Sequence, residues 1–214
     1  MSYDHDRDVK GSEVRLWKLI EARALPGADT AEIDRRIWDL FGETWAIVFT
    51  DLSGFSRRVA AFGITHFLQV IFEQKRLLLP IVAANDGILI KVEADSFMMI
   101  FKRATSALRC ALEMQQACDG YNAARVEEEQ VLLCVGIGFG PILRIGDTDV
   151  YGQEVNAASK LGEDIAKARQ ILVTDAVRSA VEDLKVAFEP IDVAVAGSDR
   201  NYRVVATESP KTRP

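Results

Sequence analysis

The sequence predicts an α+β fold in which a β-α-β-β-α-β core follows a pair of short helices. Apolar runs of strand length alternate with longer segments whose apolar residues recur at helical spacing. The turn signal Asn85-Asp86-Gly87 separates the first long helical segment from two strands that form a hairpin. The predicted core strands are residues 45–51, 88–92, 97–101 and 131–139.

Two helices are expected before the core. Apolar positions recur at helical spacing over residues 13–24, and a Pro-Gly pair then ends the pattern. Asp29 or Thr30 can cap the second helix, which should end at Gly42. We therefore predict a helical appendage over residues 1–43 that supports packing or dimerisation.

The main domain is predicted over residues 44–207, in the order of a split ferredoxin-like fold. Its first helix should begin after Gly54-Phe55-Ser56 and run past a kink at Pro80. The later expected elements are a helix over 104–121, a strand over 131–139 that ends at Gly138-Phe139-Gly140-Pro141, a short strand over 142–145, a helix over 153–168, a strand over 171–174, a helix over 175–185 and two weak strands. Residues 1–10 and 208–214 are polar and aperiodic, so we expect frayed or disordered ends.

Composition narrows the possible classes of function. The chain has 214 residues, 49% of them hydrophobic, which is enough for one sizeable core. A net charge of −6 argues against a nucleic-acid partner. No apolar run reaches the roughly 18 residues of a membrane span, and the three cysteines form no CxxC pair. We therefore expect a cytoplasmic protein without a disulfide framework.

Asp51 is the first candidate functional residue. It lies where an apolar strand ends and Gly54-Phe55-Ser56 opens a helix. Backbone amides at such a helix start can hold phosphate oxygens while the carboxylate holds a metal ion. The alternative interpretation is that Asp51 only caps the helix.

The predicted hairpin carries a second group of charged residues, Lys91, Glu93 and Asp95. If the first strand pairs centrally with this hairpin, Asp51 and Asp95 lie side by side. Two adjacent carboxylates repel each other, and a divalent cation removes that conflict. The alternative is a solvated polar turn.

A third group follows in the segment from Asp149 to Lys160. Asn156 and Lys160 are four residues apart on a predicted helix and so share one face. This places an amide and a cation on the same side, although a solvated helix surface explains the pair equally well.

Taken together, these three segments resemble the class III adenylate and guanylate cyclase family over roughly residues 45–174. The family pattern has an Asp at the end of the first strand before Gly-Phe, then Lys-x-x-x-Asp on a hairpin, then Asp-x-x-Gly-x-x-Val-Asn-x-Ala-x-Arg. The matching residues are Asp51 with Gly54 and Phe55, Lys91 with Asp95, and Asp149 with Gly152, Val155, Asn156, Ala158 and Lys160.

The resemblance implies a two-metal phosphorus-oxygen lyase that acts on a nucleoside triphosphate. Asp51 and Asp95, helped by the Leu52 carbonyl, would bind two Mg²⁺ or Mn²⁺ ions. Asn156 would orient the ribose, and Lys160 would stabilise charge on the α-phosphate. In the family these last two residues act from the opposite subunit, so a homodimer is implied.

Lys91 and Asp149 occupy the two positions that contact the base in this family. A Lys donor and an Asp acceptor suit adenine, whereas guanine-specific members usually carry Glu and Cys there. The resemblance therefore favours ATP as the substrate and 3′,5′-cyclic AMP as the product.

Three positions depart from the family pattern. The usual transition-state Arg is Lys160, the Gly before the second metal Asp is Ala94, and the Lys-Gly near the end of the domain is Ala196-Gly197. Arg57, Arg200 or Arg203 could replace the missing triphosphate contact. These departures leave two alternatives open: a degenerate cyclase homology domain that binds without turnover, and a cyclase for GTP or a pyrimidine nucleotide.

Overall fold

The computed structural model describes residues 11–206, without the side chains of residues 55–58 and 206. The predicted frayed ends, residues 1–10 and 208–214, lie outside the described residues. The strands are β1 (Gly42–Leu52), β2 (Ile88–Glu93), β3 (Ser96–Phe101), β4 (Leu133–Ile145), β5 (Asp149–Tyr151), β6 (Ile171–Thr174), β7 (Val186–Ile191) and β8 (Asn201–Ala206). The helices are α1 (Ser12–Arg23), α2 (Thr30–Phe41), α3 (Phe55–Phe62), α4 (Ile64–Ala84), α5 (Ala104–Asn122), α6 (Gln153–Ser159) and α7 (Asp175–Ala180). A 3₁₀ turn covers Glu127–Glu129, and a π-helical turn covers Lys160–Ile165.

A single mixed sheet organises the chain in the order β2-β3-β1-β4-β6-β8-β7, and β5 pairs with β4 off this path. Strand β1 is central, with β3 and β4 antiparallel on its two sides. Strands β4 and β6 are parallel. The segment from β1 to β4 therefore has the β-α-β-β-α-β order, which confirms the predicted α+β, ferredoxin-like fold.

The larger part of the core lies between one face of the sheet and helices α4 and α5. Strand β1 supplies Ala46 and Val48 to this face, where Phe67 of α4 and Leu108 of α5 are also buried. Alternate residues of a strand point to opposite faces, so neighbouring Ile47 joins the second face instead. A central strand that is apolar on both faces accounts for the continuous apolar run in the sequence.

The cluster of buried residues on the second face of the sheet is smaller, and α6 and β5 contribute to it. Trp45, Ile47, Met98 and Ile100 of the sheet pack there against Val155 of α6. The indole nitrogen of Trp45 donates to Glu43 at 2.7 Å, while Lys102 and Arg144 lie over its ring. Polar groups therefore border this face of the sheet near the start of β1.

The predicted pair of N-terminal helices is present and packs against the far end of β4. Asp29 caps α2 by accepting a hydrogen bond from the Glu32 amide at 3.0 Å. The buried residues of this small cluster are Leu16, Leu19, Ile37, Phe41 and Ile145. The division of the chain at residues 43 and 44 stays a prediction.

Several elements differ from the sequence-based expectation. The helix predicted over 175–185 ends at Ala180, and the short strand β5 was not predicted. The predicted first helix of the core is two helices, because Gly63 between α3 and α4 has a φ of 83° that interrupts the helical path. Strand β4 is continuous from Leu133 to Ile145, where two strands were predicted. The helix predicted over 153–168 ends at Ser159 and continues as the π-helical turn.

Within residues 11–206, every helix is too short or too polar to span a lipid bilayer.

Candidate active site

The carboxyl groups of Asp51 and Asp95 lie next to each other at one end of the sheet. Asp51 is the penultimate residue of β1, and Asp95 lies in the turn between β2 and β3. Because β1 and β3 are antiparallel, with Thr50 opposite Phe97, the end of β1 adjoins the start of β3. The two carboxyl groups lie close enough for each to affect the pKa of the other. The structure thus brings together the two residues that were predicted to hold metal ions.

The surroundings of this pair disfavour two negative charges. Burial raises the pKa of Asp51 to about 7, and the charge of Asp95 adds to that rise. Burial also raises the pKa of Asp95, which is 7% exposed. The Oδ2 atom of Asp95 has no hydrogen-bond partner among the described residues. A bound cation would stabilise both carboxylates, so the donor set fits a divalent metal ion.

The pair supplies only part of a coordination shell. In the described part of the chain, no three His, Cys, Asp or Glu side chains gather closely enough to hold a metal ion together. Mg²⁺ commonly takes one or two carboxylates and completes its shell with water and substrate phosphates. The Asp51–Asp95 pair therefore fits an ion that arrives with, or is completed by, a phosphate ligand.

A side chain of α4 supports the turn that carries Asp95. The buried Gln74 side chain donates from Nε2 to the backbone oxygen of Asp95 at 2.8 Å. Ala94 adopts a φ of 51° in this turn, where the family pattern has glycine. The backbone of Leu52 acts on both acids by lowering their pKa values, against the larger effect of burial. The turn therefore keeps its conformation without the glycine, at some cost in backbone strain.

Lys91 and Asp149 form an ion pair on the second face of the sheet. Lys91 Nζ donates to Asp149 Oδ2 at 2.6 Å, which raises the pKa of the lysine. Tyr151 Oη also donates to Asp149 Oδ2, at 3.2 Å, and the Val150 amide donates to Asp149 Oδ1 at 2.9 Å. The two predicted base-contacting residues therefore contact each other, and Tyr151 joins them.

Helix α6 lies directly on the backbone of β4, because glycines face it. A Cβ atom at Gly136 would lie 2.1 Å from the Ala158 oxygen, and one at Gly138 would lie 2.4 Å from the Glu154 oxygen. Glu154 also accepts hydrogen bonds from the Phe139 amide at 3.0 Å and from Thr174 Oγ1 at 2.8 Å. These contacts fix the helix that carries Asn156.

A cavity of about 280 Å³ is bordered by residues of β1, β2, β3, β5 and α6. Lys91, Asp149, Tyr151 and Asn156 supply polar groups to its lining. Phe49 and Met98 of the sheet, with Val150 and Val155, supply apolar surface. Glu93, Ser96, Ser159 and Glu163 complete the lining. A slot that combines apolar surface with several polar groups has the chemistry of a site for a planar, hydrogen-bonding ligand such as a nucleotide base.

The structure does not bring all of the predicted residues to this cavity. In the part of the chain that the structure describes, the cavity lining omits Asp51, Asp95 and Lys160. Lys160 begins the π-helical turn and pairs with Asp164, its Nζ lying 2.6 Å from Oδ2. Lys91, Asp149 and Asn156 therefore lie at the cavity, Asp51 and Asp95 form the acidic pair, and Lys160 belongs to neither group.

The predicted phosphate-binding segment opens α3. Gly54 precedes the helix with a φ of 84°, a conformation that glycine adopts without strain. The side chains of Phe55 and Ser56 lie outside the described part of the chain. Binding of phosphate by this segment stays a prediction.

Glu163 is a residue that the sequence analysis missed. It accepts hydrogen bonds from Ser96 Oγ at 2.6 Å and from Ser159 Oγ, and its negative charge raises the pKa of both Asp51 and Asp95. It lies on the π-helical turn, whose extra residue per turn is not visible in an apolar periodicity. The sequence held no signal for this position.

The alternatives for a triphosphate contact are engaged elsewhere in this structure. Arg200 pairs with Asp175 at 2.6 Å, and Arg203 pairs with Glu189. The side chain of Arg57 lies outside the description. Gly197, with a φ of 98°, lies against the backbone of Gln153 at the start of α6. The loop that replaces the family's Lys-Gly therefore supports α6 by backbone contact.

Comparison with known proteins identifies the family. The family described as the adenylate and guanylate cyclase catalytic domain matches residues 42–204, and the chain therefore belongs to it. Among solved structures, an adenylate/guanylate cyclase/hydrolase from Silicibacter pomeroyi is 28% identical, with a TM-score of 0.66 over 78% of this chain and 99% of that one. The adenylyl cyclase CyaB from P. aeruginosa shares the fold at 20% identity, with a TM-score of 0.66 over 78% and 96% of the two chains.

The curated relatives are longer proteins. The chain is 25% identical over 166 residues to adenylate cyclase 1 of Rhizobium meliloti, covering 70% of this chain and 25% of that protein. It is 24% identical over 144 residues to the serine/threonine-protein kinase pkn2 of Myxococcus xanthus, covering 67% and 17%. The chain thus spans a quarter or less of these relatives.

Proposed function

We propose that this domain converts ATP to 3′,5′-cyclic AMP and pyrophosphate. The observation that carries the proposal is the presence of two complementary half-sites: a buried acidic pair that fits a cation and a base-sized cavity with a Lys donor and an Asp acceptor. Membership of the cyclase family supports the same reaction class.

The acidic half-site would bind the metal ions. Asp51 and Asp95, with the Leu52 carbonyl, are the residues that would hold two Mg²⁺ or Mn²⁺ ions. When bound, such ions lower the pKa of the ribose 3′-hydroxyl and neutralise the triphosphate. The unpartnered Oδ2 of the buried Asp95 supports this assignment.

The other half-site would hold the nucleoside and the reacting phosphate. Lys91 and Asp149 would bind the adenine edge, and Asn156 would orient the ribose so that its 3′-oxygen faces the α-phosphorus. As the new bond to the α-phosphorus forms, the bond to the β-phosphate oxygen breaks and pyrophosphate leaves. The 3′-hydroxyl proton passes to solvent. Lys160, released from Asp164, would stabilise charge on the α-phosphate.

We also propose that a complete site needs two chains. The acidic pair lies outside the cavity that holds Asn156, and Lys160 is turned toward Asp164. A second copy would place its acidic pair opposite this cavity. A two-fold dimer contains two such composite sites.

A second candidate function is nucleotide binding without turnover. Lys160 lacks the planar fork of the arginine in the family pattern, and Ala94 takes a strained conformation beside Asp95. Both features weaken catalysis more than they weaken binding. A cyclase that uses GTP or a pyrimidine nucleotide is the further alternative.

The test is cyclic-nucleotide formation from each of the four ribonucleoside triphosphates with Mn²⁺ or Mg²⁺. We expect cyclic AMP from the wild type, and a loss of about a hundredfold or more in Asp51→Ala and Asp95→Ala. Asp192→Ala, at an exposed position, is the control and should keep its activity. Binding of ATP without any cyclic product would favour the second candidate.

A further inference from the structure

Tyr151 shares a face of β5 with Asp149. Residues two apart on a strand point to the same side, and the intervening Val150 is buried in the second face of the core. Tyr151 is 44% exposed, and its side chain lines the same cavity as Lys91 and Asn156. Its hydroxyl is therefore a third polar group beside the two base-contacting residues.

The direction of the Tyr151 hydrogen bond is set by its partner. An ionised carboxylate only accepts hydrogen bonds, so the phenolic proton must point to Asp149 Oδ2, 3.2 Å away. The ammonium of Lys91 donates to the same oxygen at 2.6 Å. The Tyr151 oxygen is then left with lone pairs only and can act toward a ligand solely as an acceptor.

We propose that Tyr151 is a specificity-determining residue whose oxygen accepts from the 6-amino group of adenine and disfavours the 6-oxo group of guanine. This inference rests on the proposed function. A 6-oxo group at this place would meet the oxygens of both Tyr151 and Asp149, and the donor beside them, Lys91, is already bonded to Asp149.

The arrangement survives the release of Lys91. When the lysine turns to a ring nitrogen of the base, Asp149 Oδ2 loses its ion pair but keeps the Tyr151 hydroxyl. Oδ1 keeps the Val150 amide at 2.9 Å. The carboxylate therefore holds its orientation during base binding, and the polarity of Tyr151 does not change.

Packing is the competing role for Tyr151. Its side chain also lines a second cavity of about 220 Å³, behind the ion pair, to which Leu16 and Trp17 of α1 contribute. A ring that only fills space against α1 would do so equally well without its hydroxyl. Replacement by phenylalanine therefore separates the two roles.

The experiment compares Tyr151→Phe with wild type on ATP, GTP and purine riboside 5′-triphosphate, which lacks the 6-amino group. We expect kcat/KM for ATP to fall by about three- to tenfold, mainly through KM, because one hydrogen bond to the base is lost. The values for GTP should stay the same or rise, and those for the purine analogue should not change. Tyr121→Phe, at a tyrosine on α5 whose ring lies against Arg125, is the matched control.

An equal loss on all three substrates, or an unchanged ATP-to-GTP ratio, would overturn the inference. The same comparison made on dissociation constants by titration calorimetry tests the inference without turnover. A wild type that binds ATP but makes no cyclic product would contradict the proposed reaction. The dissociation constants of wild type and Tyr151→Phe would then decide the inference about Tyr151. Binding of neither purine nucleotide would overturn both.

Discussion

At the scale of single residues, the acidic pair shows how a binding site can oppose stability. Asp51 and Asp95 share a buried position in which neither charge is offset by a neighbouring cation in the described structure, so protonation is favoured up to about pH 7 at Asp51. Glu163 adds a third negative charge nearby. The free energy that this arrangement costs is recovered when a cation binds.

Removal of the Asp51 charge is expected to change the pH dependence of stability. In metal-free wild type, the folded state holds a proton between pH 4 and about 7 that the unfolded state has released, so stability falls as pH rises through this range. In Asp51→Asn this fall should become smaller, and the raised pKa of the buried Asp95 keeps the remainder. Urea denaturation with EDTA at pH 5 and pH 7.5 measures the difference, and Asp192→Asn serves as the exposed control. Equal slopes in wild type and Asp51→Asn would contradict the assignment.

The sequence could predict the site residues only as far as local patterns and family resemblance reach. Asp51 and Asp95 adjoin because β1 pairs with β3, which the sequence analysis stated only as a condition. Tyr151 and Glu163 were missed because their contacts depend on tertiary placement: one on a three-residue strand, the other on a π-helical turn. Neither element has a periodicity long enough to detect.

At the scale of elements, the β2–β3 turn carries strain that glycine would relieve. Ala94 has a φ of 51°, a region that costs a residue with a Cβ about 1–2 kcal/mol. The greater freedom of the unfolded chain with glycine lowers the free energy of unfolding by about 0.4–1 kcal/mol, which offsets part of this gain. We therefore expect Ala94→Gly to raise the free energy of unfolding by about 0.5–1 kcal/mol. Chemical denaturation measures the free energy of unfolding. Ala83→Gly, within α4, is the control and should instead destabilise the fold by about 1 kcal/mol.

The contact between β4 and α6 should be the least tolerant of added side chains. A methyl group at Gly136 would overlap the Ala158 oxygen and the Gly162 amide, both of them backbone atoms that cannot rotate away. We expect Gly136→Ala to destabilise the fold by about 2–3 kcal/mol. Gly120→Ala on α5 is the control, because open space surrounds that position and alanine favours a helix. A neutral Gly136→Ala would show that α6 can shift.

The elements that sequence reasoning misjudged share a physical cause. Gly138 to Pro141 was expected to end a strand, yet antiparallel pairing with β1 carries β4 through this segment, where Pro141 lies opposite Thr44. Conversely, the apolar stripe of α3 and α4 looked continuous, and only the backbone angle of Gly63 separates them. Pairing partners and backbone angles at glycine are tertiary properties that composition does not reveal.

At the scale of the whole molecule, one chain holds two half-sites that serve different composite sites in the proposed dimer. Asp51 would act in one site and Asn156 in the other. Neither Asp51→Ala nor Asn156→Ala alone should then retain activity, because every dimer of either variant lacks a component in both sites.

Mixing the two inactive variants should restore turnover. Half of randomly paired dimers are mixed, and each mixed dimer contains one intact site of two, so about a quarter of wild-type activity is expected after subunit exchange. The measurement is cyclic AMP formation by the mixture, and each variant mixed with itself is the control. Differently tagged chains verify that the subunits have exchanged. If activity does not recover after verified exchange, a shared site is contradicted.

The glycine face of β4 also decides how the base cavity can open. One wall of the cavity, α6, rests directly on the backbone of β4, whereas polar contacts join the walls across the cavity: the Lys91–Asp149 ion pair and the hydrogen bond from Ser96 to Glu163. Entry of a ligand should therefore part this ion pair instead of lifting the helix. Both partners are partly exposed, so salt weakens their attraction. We expect the rate of nucleotide entry to rise with ionic strength, which makes the cavity mouth an electrostatic gate.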